Sequence, residues 1–225
     1  MSAAGAARGR RRNRPRGIAT ADVLTGAAVS LIVLGAVGSF SRAQSRALMA
    51  QNVYAESQTV TRSVMDLMTR ELRMATYDPL GTALPAAPGP SCPGVKQGIT
   101  EATASKIHFK QDISGDGLAN GTGEDVIYDV LGDTIRRQDG ASAPLAIVSG
   151  VPAGGFTLRY FDGSNPPVEL VPSGSPPALT PGQRDCVAKI RIGVHAAINN
   201  PTLNVPFAST AQSEVAIRNR SLANF

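Results

Sequence analysis

Residues 18–79 read "IATADVLTGAAVSLIVLGAVGSFSRAQSRALMAQNVYAESQTVTRSVMDLMTRELRMATYDP", and the reading of this stretch decides the fold. Its first part, Ile18–Phe40, is apolar apart from a few hydroxyls and one acid, Asp22. That span matches the roughly 20 residues needed to cross a bilayer as a helix. It is too long for the apolar region of an ordinary secretory signal, although "SRA" at 41–43 offers an atypical cleavage site. From Ser41 the chain turns polar, yet it holds no Gly or Pro until Pro79. Val60, Val64, Leu67, Met68 and Leu72 recur at helical spacing and form one apolar stripe. Asp66 precedes Arg70 in the favourable i,i+4 ion-pair order. Asp78-Pro79 is the expected stop, because proline disfavours the α region for the residue before it. The pattern predicts one helix over 18–77, transmembrane over 18–40 and amphipathic over 41–77. A hinge near Gly35 or Gly38 would divide it in two.

Charge is distributed to match. The chain carries +5 overall. Arg8, Arg10, Arg11, Arg12, Arg14 and Arg16 place +6 in residues 1–17, which leaves −1 for everything after Gly17. A basic run can read as a nucleic-acid patch. Directly before an apolar span it is instead the positive-inside signal that keeps that end cytoplasmic. The expectation is a single-pass membrane protein with no nucleic-acid partner for its arginines, and with residues beyond 41 outside.

Beyond Pro79 the period changes. A loop rich in Pro, Gly and Ala covers 80–98, and alternating segments follow at 106–112, 124–130, 133–138, 143–149 and 155–163. A second Pro/Gly-rich loop covers 164–182, the strongest strand is 186–198, and the last is 213–220. Short strands joined by turns make an antiparallel sheet, since parallel crossovers need helices between strands. The fold class is α+β, with the long N-terminal helix packed on the sheet and a β-rich head over 78–225.

Chemistry is sparse. His108 and His195 fall on the polar faces of strands, where solvated surface side chains are the ordinary outcome. The sequence has no nucleophile motif, no phosphate-cradling glycine loop and no Cys/His metal spacing, so no enzyme is expected. "DISGDGLANGTGED" at 112–125 does resemble a site. Asp112, Ser114 and Asp116 before Gly117 match the opening of a calcium loop, but the twelfth position is Gly123 and Glu124 comes one residue late. The same residues serve a plain turn between two strands, so calcium is the one cofactor the sequence leaves open. Cys92 and Cys186 are the two cysteines, either bridged or free, and a bridge would tie the first loop to the strongest strand.

A basic leader ending in Gly17, then an apolar helix with an acid at its fifth position, resembles the class III signal of type IV pilins and type II secretion pseudopilins. The resemblance implies that a prepilin peptidase cuts between Gly17 and Ile18 and methylates Ile18, and that Asp22 is the acid used in assembly. Two residues depart from the usual pattern: Ile18 stands in place of phenylalanine, and Asp22 in place of glutamate. "SVMDLMTRELRMATYDPLG", "IHFKQDISGDG", "EDVIYDV", "DTIRRQDG", "FTLRYFDG" and "VAKIRIGV" are similar to the order of segments in PilW-like minor pilins. The resemblance covers most of 17–198. It implies a non-enzymatic subunit held in the inner membrane by its helix, with a periplasmic head, which joins other minor and major pilins and reaches the cell surface in the pilus. A J-type type II secretion pseudopilin shares this plan, and a membrane-anchored periplasmic ligand- or calcium-binding domain is the alternative from another class.

Overall fold

The computed structural model describes residues 20–86, 92, 96–200 and 205–218, with backbone alone at 198–200 and 205–207. Gly17 and Ile18 lie outside the described residues. The chain divides into two compact units, Met1–Met49 and Ala50–Phe225.

The first unit is helical from Thr20, the start of helix α1, which runs to Met74 without interruption at Gly35 or Gly38. Every residue from Thr20 to Met49 is exposed. Its best apolar window has a mean hydropathy of 2.1, so the helix is long and apolar enough to cross a membrane.

In the second unit, the remainder of α1 contributes Ser57, Thr61, Val64, Met65, Met68 and Leu72 to the interior. This stripe is turned from the expected one: Val60 is exposed at 38% and Leu67 is half-buried. Hydrophobicity alone missed the two small polar members. The Thr61 hydroxyl donates to the Ser57 carbonyl at 2.8 Å, so the helix itself satisfies it and burial costs little. Asp66 and Arg70 are both exposed and form no ion pair among the described residues.

The helix ends before the predicted stop. Ala75 and Tyr77 donate back to Leu72 and Met74, and Thr76 takes a left-handed φ of 67° with its N–H on the Lys110 carbonyl. A β-branched residue rarely accepts that conformation. Gly98 makes room for it, since a Cβ there would lie 2.6 Å from Thr76 Cα. Asp78 does not end the helix. It caps the next turn, accepting N–H bonds from Thr82, Ala83 and Leu84.

The expected single sheet is two. The first has the order β1 (Ile99–Ala102), β2 (Ile107–Lys110), β3 (Asp125–Leu131), β4 (Thr134–Asp139) and β5 (Leu145–Ser149), all antiparallel. The second contains β6 (Phe156–Phe161), β7 (Glu169–Leu170), β8 (Lys189–Asn200) and β9 (Val205–Ala216), in the order β7-β6-β8-β9. Period-two alternation predicts which residues face inward but not which sheet a strand joins. Ile107, Phe109, Val126, Tyr128 and Ile135 of the first sheet share one core with Phe156, Leu158, Tyr160, Ile190 and Ile192 of the second and with the α1 stripe. The last strand starts earlier than expected, at Val205, and stops at Ala216.

Both Pro/Gly-rich loops hold structure that composition hid. The first holds an isolated bridge between Ala86 and Lys96 and leads into β1. The second contains β7 and runs into a short helix α2, Pro181–Cys186. Thr180 opens α2 with a capping box: its hydroxyl takes the Gln183 N–H while the Gln183 side chain takes the Thr180 N–H. "TPGQ" at 180–183 is the signal that reading missed, with Pro181 at the favoured first position. Cys186 therefore ends a helix and does not begin β8.

Candidate functional site: an apolar helix and a carboxylate-capped loop

In the apolar part of α1, three hydroxyls are satisfied within the helix. Thr25 donates to Ala21 and Asp22 carbonyls, Ser30 to Gly26, and Ser39 to Ala36. Asp22 differs: its carboxylate, in the first described turn, has no partner among the described residues. Open space surrounds Gly26, Gly35 and Gly38, where an added Cβ would meet nothing within 4 Å. Val23, Leu24, Leu31, Ile32 and Leu34 are all more than half exposed. An apolar helix of this kind is stable only where something other than water covers it.

In the head, the calcium-like stretch folds into a loop between β2 and β3. Asp112, Asp116 and Glu124 each bring a carboxylate oxygen within 4.8 Å of the others. Asp112 and Glu124 are buried and Asp116 is exposed. Asp112 Oδ1 accepts from Gly115 N at 2.7 Å and Oδ2 from Gly117 N at 3.0 Å. Glu124 Oε1 accepts from Ser114 N at 2.8 Å and Oε2 from Gly121 N at 2.7 Å. Ser114 thus meets Glu124 through its amide, while its hydroxyl lies 3.4 Å from Asp112. Backbone N–H dipoles supply the positive potential that closes the loop around its acids. Gly121 is required for this approach, since a Cβ there would lie 2.7 Å from Glu124 Oε2. Burial opposes ionisation of Glu124, but the Ser114 and Gly121 amides outweigh it and hold the carboxyl below its ordinary range.

That shift has a consequence for acid stability. A carboxyl with a lowered folded value contributes fully above its unfolded value of about 4.3, and loses its contribution as pH falls through the lower folded value. Wild type is expected to melt above Glu124→Gln at pH 7, with the two midpoints converging as the pH is lowered below about 4. A gap that stays constant with pH in thermal unfolding would show that the charge on Glu124 does not close the loop.

Sequence reading missed a second polar group. Glu71, on the last turn of α1, accepts the Tyr128 hydroxyl at 2.5 Å and lies 2.9 Å from Arg137. Arg137 also reaches Asp139, which in turn accepts the Gly123 N–H at 2.8 Å. The helix, β3, β4 and the acidic loop are thereby linked in one network. Burial, then the Glu71 carboxylate, push the Tyr128 phenol far above its ordinary value, so it stays protonated and donates to Glu71. His108 is also more than a solvated side chain: its Nε2 lies 2.5 Å from Asp125 Oδ1, and Lys110 reaches the same carboxylate at 3.2 Å. His195 pairs with Thr210 across β8 and β9 at 2.8 Å.

Cys92 and Cys186 form a disulfide, with Cα atoms 5.4 Å apart. It fastens the first loop to α2.

Set against known protein families, curated proteins and solved structures, the chain matches none. The α+β arrangement of one long N-terminal helix and antiparallel sheets therefore stands on its own geometry.

Proposed function

We propose that this protein is a minor-pilin-like assembly subunit, a non-enzymatic component made at the inner membrane and built into a type IV pilus after prepilin peptidase cuts its leader. The observation that carries the reading is the change of role along α1. The helix is bare and apolar over its first part, and from Ser57 onward it supplies the core of the head. A membrane covers the apolar part before assembly, and neighbouring helices cover it afterwards. Small residues such as Gly26, Gly35 and Gly38 allow those helices to approach closely.

Asp22 then has a purpose. A carboxylate in an apolar helix is costly unless paired. Its neighbouring hydroxyls are satisfied locally, whereas Asp22 has no partner among the described residues. Cutting after Gly17 creates an α-amino group on Ile18, a cation of the right sign for this acid on the same or a neighbouring subunit.

N-terminal sequencing of the membrane protein, produced with and without a prepilin peptidase, tests the reading. The expected mature chain begins at Ile18 only when the peptidase is present. A chain beginning elsewhere, or uncut in its presence, overturns it.

A further inference from the structure

Gly121 and Glu124 hold each other by two bonds, and one of them aims a base at an amide nitrogen. The Gly121 N–H donates to Glu124 Oε2 at 2.7 Å, and the Glu124 N–H donates to the Gly121 carbonyl at 3.1 Å. The first distance lies within the roughly 2.6–3.2 Å reach of a general base. The lowered value of the Glu124 carboxyl keeps it ionised at neutral pH, free to accept a proton.

The residue joined to that nitrogen is Asn120, the only asparagine in the chain followed by glycine. Its side chain is exposed and makes no hydrogen bond among the described residues. It lies in neither helix nor strand, so no ladder fixes its backbone. An asparagine side chain meets the nitrogen of the next residue through a small ring, and tethered groups of this kind react far more readily than separate ones. Glycine at the second position leaves the backbone free to close that ring. It also admits the base, because a Cβ on Gly121 would lie 2.7 Å from Glu124 Oε2.

We propose that Asn120-Gly121 is a self-modifying site, at which Asn120 loses its side-chain amide as ammonia with Glu124 as the base. The Gly121 nitrogen bonds to Asn120 Cγ and the Cγ–Nδ2 bond breaks. Ammonia leaves with the proton that the Gly121 nitrogen gave up through Glu124, and a succinimide ring remains. Solvent water opens the ring at either carbonyl, giving aspartate or isoaspartate, and no oxidant or reductant is needed. Either product adds a carboxylate to the loop that already holds Asp112, Asp116 and Glu124. Isoaspartate also lengthens the backbone where Gly121 is held. Both changes work against the amide bonds that close the loop, so the loop loosens as the protein ages. The site does not depend on the filament reading and survives its failure.

The test incubates the full chain in detergent at neutral pH, native and in guanidinium chloride, and follows Asn120 by peptide mass mapping with enzymatic isoaspartate labelling. Folded wild type is expected to convert Asn120 faster than the denatured chain does. Glu124→Gln cannot take the proton and is expected to be about tenfold slower than wild type, near the denatured rate. Asn120→Gln, which would need a larger ring, is expected to give no product at this position. A folded wild-type rate at or below the denatured rate, or Glu124→Gln converting as fast as wild type, would each overturn the proposal. The comparison of folded with denatured chain uses wild type alone, so loosening of the loop in Glu124→Gln cannot disguise the answer.

Discussion

Replacing Cys92 and Cys186 together by serine is expected to cost the head about 4 to 5 kcal/mol. The bridge spans a sequence separation of 94 residues, and cross-linking a loop of that size removes much of the unfolded chain's freedom. Its native-state role points the same way. The first loop is otherwise anchored by contacts such as the Ala86–Lys96 bridge and the Lys96 ammonium on the Gly81 carbonyl. At the other end, α2 is a helix of a single turn and a half, too short to hold itself without packing. Thermal unfolding of wild type with and without reductant, beside the double serine variant, checks the expectation. Reduced wild type and the variant should coincide, with a midpoint lowered on the order of 10 °C. Coincidence with the oxidised protein would mean that α2 and the loop are held by packing alone.

What was legible in the sequence follows from the range of the forces involved. Helix α1 was legible because its signal is local and long: no Gly or Pro from Ser41 to Asp78, and a stripe repeated over several turns. Strands β2, β3, β4 and β6 were legible because alternation such as Ile107 and Phe109 against His108 and Lys110 is also local. The division into two sheets was not, since it depends on which edges meet. β1 and β7 are too short for alternation to register. The carboxylates of the acidic loop were legible as a group, because Asp and Gly in alternation mean a turn. Their bonding was not, because a carboxylate that caps amides and one that binds a cation use the same letters. Only "TPGQ" and the αL residue Thr76 lay in local sequence, the first readable as a cap and the second with no local cue.

The Glu71 network is the clearest case of structure without a sequence signal, and it yields the second large effect. Tyr128 and Arg137 lie 57 and 66 residues from Glu71, and no spacing rule connects them. Glu71→Ala removes the acceptor of a buried phenol and the main counter-ion of a guanidinium whose side chain is 19% exposed. Breaking one side of a buried pair costs about 3 to 5 kcal/mol, because the other charge stays behind. Partial exposure and the remaining Asp139 contact reduce this, so the expected loss is about 2 to 4 kcal/mol. Glu71→Leu combined with Arg137→Leu removes both charges and should recover much of that loss, since apolar replacement of both members of a pair is often neutral. A double-mutant cycle by thermal unfolding measures the difference. If the double variant is as damaged as Glu71→Ala, the network matters through Tyr128 and the Asp139 cap on Gly123 more than through the pair. If it recovers, the ion pair serves chiefly to set how the last turns of α1 lie against β3 and β4. Position would then be what it supplies, and burial of Met68 and Leu72 would supply the stability.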